Sequence, residues 1–112
     1  MSSDPPANEP KPRRSAWKGV WKGVNQSGEM RCTLTFHPSG RVQGAGADRL
    51  GAYRIDGKLE GDAITFIKRY GQHFVDYAGT LDEAAGKMRG TWSIGVQRVV
   101  ESGTFTLTRT SG

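Results

Sequence analysis

The sequence predicts an all-β protein: an eight-stranded antiparallel up-and-down meander barrel that follows a disordered N-terminal arm. Three observations lead to this prediction. Apolar side chains alternate with polar ones from Trp17 onward, which is the period of a strand and not of a helix. Turn-forming residues interrupt the alternation at short intervals, and 16 of the 112 residues are glycine. Only 35% of the residues are hydrophobic, which is too few for a large helical core.

Residues 1–15 are predicted to form the disordered arm, and residues 16–112 the barrel domain. Four of the five prolines lie in the arm, which has almost no apolar side chains and so cannot bury enough surface to offset its ordering entropy. The arm lacks the apolar stretch of a secretory signal, and its acidic residues are unlike a mitochondrial presequence. With the single cysteine, Cys32, these features favour a cytoplasmic location. No run approaches the roughly 18 apolar residues that span a bilayer, so we expect no membrane association.

The first four predicted strands lie between Trp17 and Leu59. The first covers residues 17–24. The second, residues 30–36, places Met, Cys, Leu and Phe on one face and ends at the turn signal His-Pro-Ser-Gly over residues 37–40. The third covers residues 42–46, and the fourth, residues 53–59, follows a break around Asp48. The dipeptide Asp56-Gly57 is also typical of a type I′ hairpin turn, and a turn there would add a ninth strand.

The last four predicted strands cover residues 64–70, 73–81, 88–94 and 103–107. A tight turn at Gly71-Gln72 separates the first two, and a turn or short loop over residues 82–86 follows. In the final strand, Gly103, Phe105 and Leu107 alternate with three threonines. Short, closely connected strands favour a meander, and closing it removes the exposed edges that promote aggregation. The interior of an eight-stranded barrel is filled by side chains or holds one small ligand. A β-sandwich with the same number of strands is the alternative architecture.

Two short motifs point to a known group of barrels. Gly19-Val20-Trp21-Lys22-Gly23 sets a tryptophan between two glycines on the first strand, and Gly90-Thr91-Trp92 repeats the Gly-x-Trp pattern near the end. With the eight-strand layout, this resembles the calycin group of lipocalins, fatty-acid-binding proteins and avidins, and the short loops are most similar to the avidin-like proteins. Over residues 17–109 the resemblance implies a closed barrel with an interior pocket. It implies no particular ligand or binding residue.

The predicted inward face is rich in aromatic side chains that carry a polar atom. Its members are Trp21, Tyr53, Lys68, Tyr70, His73, Tyr77 and Trp92. Pure packing favours aliphatic residues, whereas aromatic rings with a few converging polar groups are typical of a small-molecule site. The sequence therefore predicts a non-enzymatic binding protein that holds a small, partly apolar ligand in the barrel. The alternative is a solid barrel in which the rings fill the core and Lys68 and His73 reach solvent.

Two other kinds of binding are compatible with the sequence. The outward positions Ala63, Ile67, Phe74 and Ala78 predict an apolar patch, so a protein partner or self-association through Ile67 and Phe74 is the main alternative function. The net charge of +5 is spread along the chain, which makes nucleic acid an unlikely partner. Weak binding through the basic arm and the first strand is a second alternative.

Catalysis is not expected. Cys32 lies in an apolar row and has no base near it in the sequence, so we expect it to pack as a small hydrophobic residue. His37 and His73 do not form a spaced metal motif. We therefore expect no catalytic residue, no metal ligand and no cofactor.

Overall fold

The computed structural model describes residues 11–95 and 101–112, and these residues form one closed antiparallel barrel. Its strands are β1 (Arg13–Gly23), β2 (Gln26–Phe36), β3 (Arg41–Asp48), β4 (Gly51–Glu60), β5 (Ala63–Tyr70), β6 (His73–Asp82), β7 (Lys87–Ile94) and β8 (Glu101–Ser111). Each strand pairs with the next, and β8 pairs with β1. The predicted eight-stranded meander barrel is confirmed, and the sandwich alternative is wrong because closure leaves a single continuous sheet. The described part of the chain contains no helix that could cross a membrane.

β1 begins earlier than the sequence suggests. Arg13 pairs with Phe36 at the far end of β2, and its guanidinium lies 2.7 Å from a carboxylate oxygen of Glu83. Residues 13–15 therefore belong to the barrel, because the long β2 strand offers them backbone partners despite their polar side chains. Residues 1–10, which hold most of the predicted arm, lie outside the described residues.

β4 runs without interruption through Asp56-Gly57. Gly57 pairs with Val42 on one side and Phe66 on the other, so neighbours on both sides hold this stretch extended. The turn follows at Gly61-Asp62, where Gly61 has a φ of 63° that favours glycine. The ninth strand that this dipeptide would have added is not formed, because pairing along two neighbouring strands outweighs a local turn preference.

The period-two alternation directs one side chain in two into the barrel. The buried hydrophobic residues are Trp17, Trp21, Met30, Cys32, Leu34, Phe36, Val42, Tyr53, Ile55, Ile64, Phe66, Tyr77, Leu81, Met88, Trp92, Phe105 and Leu107. Phe66 and Tyr77 stack with their ring centroids 4.7 Å apart, and Phe105 meets Tyr77 edge to face at 5.0 Å. Burying each such side chain stabilises the fold by about 1.5–3 kcal/mol, so this row holds the closed sheet together.

Candidate functional site

Most of the predicted lining residues lie near one end of the barrel, which we call the aromatic end. Three turns meet there: residues 24–25, 49–50 and 71–72. β7 ends and β8 begins at this end as well, and residues 96–100 between them lie outside the described residues. Because the strands are antiparallel, inward residues next to these turns come from distant parts of the chain and face one another.

A pair of tryptophans forms one side of the aromatic end. Trp21 and Trp92 meet edge to face, with ring centroids 5.9 Å apart and an interplanar angle of 88°. The Trp92 indole N–H donates to the carbonyl oxygen of Lys22 at 3.0 Å. Glycines make room for both rings, since a Cβ on Gly28 or Gly103 would lie 2.6 Å from the indole nitrogen of Trp21 or Trp92 respectively. These glycines are therefore required by the size of the opposing rings.

A buried ion pair occupies the other side. The Lys68 Nζ lies 3.1 Å from Oδ2 of Asp48, and the two side chains are 2% and 1% exposed. The Tyr70 hydroxyl donates to the same carboxylate oxygen, and the Leu50 backbone N–H donates to Oδ1 at 2.9 Å. One interpretation of the sequence was that Lys68 reaches solvent. The structure shows that it does not, because the Asp48 carboxylate pairs with it inside the barrel.

Three tyrosine rings surround the Lys68 ammonium. Its Nζ lies 4.7 Å from the ring centroid of Tyr53 and 5.1 Å from those of Tyr70 and Tyr77. The negative face of an aromatic ring attracts a cation at this range, and the attraction strengthens where water is excluded. The Tyr53 hydroxyl also donates to the carbonyl oxygen of Arg31 at 2.9 Å. Carboxylate and rings together replace the water that the ammonium loses on burial.

Burial shifts the pKa values of the ionisable groups at this end. It lowers the pKa of Lys68, with the Asp48 carboxylate acting in the opposite direction. It raises the pKa of Tyr53, Tyr70 and Tyr77, so all three phenols stay protonated at neutral pH. Burial likewise raises the pKa of the Cys32 thiol to about 12, and the charge of Lys68 only partly opposes this rise. A thiol so far from ionisation is a poor nucleophile, in keeping with the packing role expected for Cys32.

Five of the seven predicted site residues are buried: Trp21, Tyr53, Lys68, Tyr77 and Trp92. Tyr70 is half-buried. His73 pairs with Tyr70 across the β5–β6 turn at the aromatic end, but its side chain is exposed, and its role in the site stays a prediction.

Sequence reasoning missed Asp48. It treated this residue only as the marker of a break between strands. Extending the inward alternation of Val42, Gly44 and Gly46 by one more step would have placed Asp48 inside the barrel, because it is the last residue of β3.

The predicted outer patch is less continuous than expected. Ile67 is half-buried and stands in register between Asp56 and Asp76 on the neighbouring strands. Phe74 is 39% exposed, with the Arg69 guanidinium 6.0 Å from its ring centroid. A protein partner at Ile67 and Phe74 stays a prediction, and it would have to accommodate two carboxylates.

No family model and no curated protein sequence matches this chain. Among the residues that the structure describes, no group of three or more histidine, cysteine, aspartate or glutamate side chains is arranged to hold a metal ion. The chemistry of the aromatic end is therefore argued from its own residues. They combine one buried cation, its carboxylate partner, three phenols and two indoles.

Proposed function

We propose that this protein is a non-enzymatic binding protein for a small, partly apolar ligand that carries a carboxylate or a similar anionic group. The ligand binds at the aromatic end. One observation carries the proposal: the ammonium of Lys68 lies inside a ring of three tyrosines and is paired with a carboxylate that comes from the end of a strand. An aliphatic residue at this position would pack without the desolvation cost of a buried charge, so the charge favours a role beyond stability.

The two partners of the ion pair differ in how firmly the backbone holds them. Lys68 lies within β5 and is paired on both sides, with Ile55 and Val75. Asp48 is the last residue of β3, directly before the two-residue turn Arg49-Leu50. Moving Asp48 therefore disturbs a strand end and a turn, whereas moving Lys68 would disturb the middle of the sheet.

An anionic ligand can take the place of the Asp48 carboxylate. Its carboxylate would accept from the Lys68 ammonium and the Tyr70 hydroxyl, while Asp48 moves out into water. One buried carboxylate replaces another, so neither the ammonium nor the phenol loses its partner. Because the Asp48 side chain is itself buried, this exchange would also free its volume for the ligand.

The apolar part of the ligand has a surface to cover. Val24, Leu50 and Ile94 lie at the turns or strand end of the aromatic end and are 80%, 69% and 37% exposed. Val24 and Ile94 follow Trp21 and Trp92 by three and two residues, and Leu50 follows Arg49, whose guanidinium lies 5.5 Å from the Trp21 ring centroid. With the ligand carboxylate bound at Lys68, its aliphatic or aromatic tail would extend over the indoles and shield the exposed apolar side chains from water.

Decanoate is a suitable probe, and decanol is its uncharged counterpart. We expect the protein to bind decanoate and not decanol in calorimetric titrations. The Asp48→Ala variant should bind decanoate at least about 10-fold more tightly. The Asp48 carboxylate no longer competes for Lys68, so no free energy is spent on moving it away before the ligand binds. Lys68→Met should abolish binding. Lys58→Met is the matched control, since Lys58 is an exposed lysine of β4 that pairs with Glu60.

Two results would overturn the proposal. One is the absence of decanoate binding by both the unmodified protein and Asp48→Ala. The other is equal binding by Lys68→Met and the unmodified protein. Circular dichroism checks that each variant is folded. If Lys68→Met does not fold, the double variant Lys68→Met/Asp48→Asn, which leaves no unpaired charge, takes its place.

A further inference from the structure

We infer that the outer surface of β1 to β5 binds the phosphate backbone of a single-stranded nucleic acid. The residues that bind it are Lys18, Arg31, Arg54 and Arg69, which we call the basic belt. This inference is independent of the ligand proposed at the aromatic end, because it concerns side chains on the opposite face of the sheet.

The basic belt consists of two pairs of like charges. Lys18 stands directly opposite Arg31 across β1 and β2, and Arg54 stands directly opposite Arg69 across β4 and β5. Like charges placed directly opposite on neighbouring strands destabilise a sheet. All four residues are exposed, and none takes part in the four ion pairs formed among the described residues. Glu29 and Asp56 lie two residues along the same strands without pairing with these cations, so an anion from another molecule would offset the repulsion.

Between the two pairs, the outer face of β3 carries small side chains. Its outward residues Ala45 and Ala47 are exposed and stand in register with Arg54 and Arg31 respectively. A shallow cleft of about 430 Å³ includes Lys18 and Arg31 in its lining, and a second of about 570 Å³ includes Arg54 and Arg69. Both clefts also include Ala45 and Gly46. The two clefts therefore meet at Ala45 and Gly46 of β3, which carry no large side chain.

The spacing of the belt fits a chain of anions better than a single anion. Neighbouring strands are about 4.8 Å apart, so Arg31 and Arg54 are roughly 10 Å apart across the strands and are also offset by two residues along them. Lys18 and Arg69 are four strand spacings apart, roughly 19 Å along the curved surface of the eight-stranded barrel. One phosphate group can meet only one of the pairs. A nucleic-acid strand carries a charge at every nucleotide and can meet both pairs at once.

An aromatic ring marks one end of the basic belt and favours a single strand. Phe74 is directly opposite Arg69 across β5 and β6, is 39% exposed, and has the Arg69 guanidinium 6.0 Å from its ring centroid. Proteins that bind single strands combine a basic groove along the backbone with aromatic side chains on which bases stack. A duplex keeps its bases paired and could not use this ring.

The rest of the outer surface provides an internal comparison. Lys87 and Arg89 on β7 are also exposed, yet the cleft beside them is lined by Asp62, Asp82 and Glu83. The two clefts beside the basic belt, in contrast, have no carboxylate in their linings. Nucleic acid is an unlikely partner from the sequence because the charge is spread along the chain, but strand register sets four of those charges in two pairs on β1, β2, β4 and β5.

The experiment measures fluorescence anisotropy of a labelled oligothymidylate of about 16 nucleotides, the upper end of the site sizes of barrel domains that bind single strands. With four phosphate contacts, log K should fall with log salt at a slope of about −2.8, so affinity should drop roughly 50-fold between about 50 and about 200 mM salt. Arg54→Gln/Arg69→Gln or Lys18→Gln/Arg31→Gln should halve the slope to about −1.4. Lys87→Gln/Arg89→Gln removes the same net charge and should leave the slope unchanged.

Three results would overturn the inference. The first is no binding at low salt. The second is an equal loss in the Lys87→Gln/Arg89→Gln control, which would mean that net charge alone attracts the oligonucleotide. The third is tighter binding to phosphatidylserine vesicles than to the oligonucleotide with the same dependence on the basic belt, which would assign these residues to an anionic lipid surface. Preference for a duplex of the same sequence would contradict the role of Phe74.

Discussion

Removing the charge of Lys68 tests whether the ion pair acts as a unit. Lys68→Met leaves the Asp48 carboxylate 1% exposed, with only the Tyr70 hydroxyl and the Leu50 N–H as donors. With no ligand to take over the Tyr70 hydroxyl, these donors keep Asp48 inside, and breaking a buried pair from one side costs about 3–5 kcal/mol. For a domain of this size each kcal/mol corresponds to roughly 4–8 °C, so the melting temperature should fall by more than about 10 °C.

The opposite change should be milder. Asp48→Asn leaves the ammonium unpaired, but it keeps three tyrosine rings within 4.7–5.1 Å. Cation–π contacts at desolvated sites contribute up to about 2 kcal/mol, so Asp48→Asn should cost at least about 1 kcal/mol less than Lys68→Met. Lys68→Met/Asp48→Asn removes both charges together and should lie within about 1 kcal/mol of the unmodified protein, because a buried ion pair contributes little net stability.

Urea denaturation followed by tryptophan fluorescence measures all four proteins, and equal m-values establish that the unfolded states are comparable. The diagnostic result is the sign of the non-additivity: the double variant must be more stable than Lys68→Met alone. If its loss of stability equals the sum of the two single losses, the residues act independently and the reasoning about the aromatic end is refuted.

Three further predictions use other parts of the barrel. Cys32 has a folded pKa of about 12 against an ordinary value of 9.0, so the unfolded thiol loses its proton first and stability falls as pH rises above about 9. Cys32→Val should remove up to about 1.4 kcal/mol per pH unit of this fall between about pH 9 and 12, and an unchanged alkaline unfolding curve would contradict the burial argument. Arg54→Gln should stabilise the protein by about 0.2–1 kcal/mol at low salt by relieving the repulsion from Arg69, and the gain should vanish in about 1 M salt, where charges are screened. Gly103→Ala would place a Cβ 1.8 Å from the carbonyl oxygen of Lys22 and 2.6 Å from the Trp92 indole, so it should cost about 1–3 kcal/mol in the same urea assay, whereas Ser102→Ala beside it should cost little.

The sequence was sufficient for the fold and for most of the inward face, because the alternation of side chains follows directly from strand geometry. Tyr53, Tyr77 and Trp92 could be placed inside the barrel from their spacing alone. The alternation of side chains also places Asp48 inside the barrel. Because Asp48 is polar and lies before a turn, its position was interpreted as the end of a strand instead. The start of β1 at Arg13 was not predictable from local composition, since only the length of its partner strand extends it.

Strand register explains what sequence reasoning could not reach. Whether Arg54 stands opposite Arg69 depends on where each turn begins and ends, and a shift of one residue would move both side chains relative to each other. The Lys68–Asp48 contact likewise joins residues 20 positions apart on strands that are not neighbours in the sheet. The first pair requires the β4–β5 hairpin and the second requires three consecutive strands, so no pattern within a single strand records them.

The pairing of β1 with β8 determines when the barrel can close during synthesis. A hydrogen bond from the Thr110 hydroxyl to the Ala16 carbonyl joins residues 94 positions apart, and β1 has no second neighbour until β8 is made. Contacts of such long range slow folding, and an unpaired strand edge invites association with other chains. The nascent polypeptide therefore remains an open sheet with an unpaired β1 edge until β8 leaves the ribosome. A truncation that removes β8 should yield aggregated material rather than a smaller stable domain.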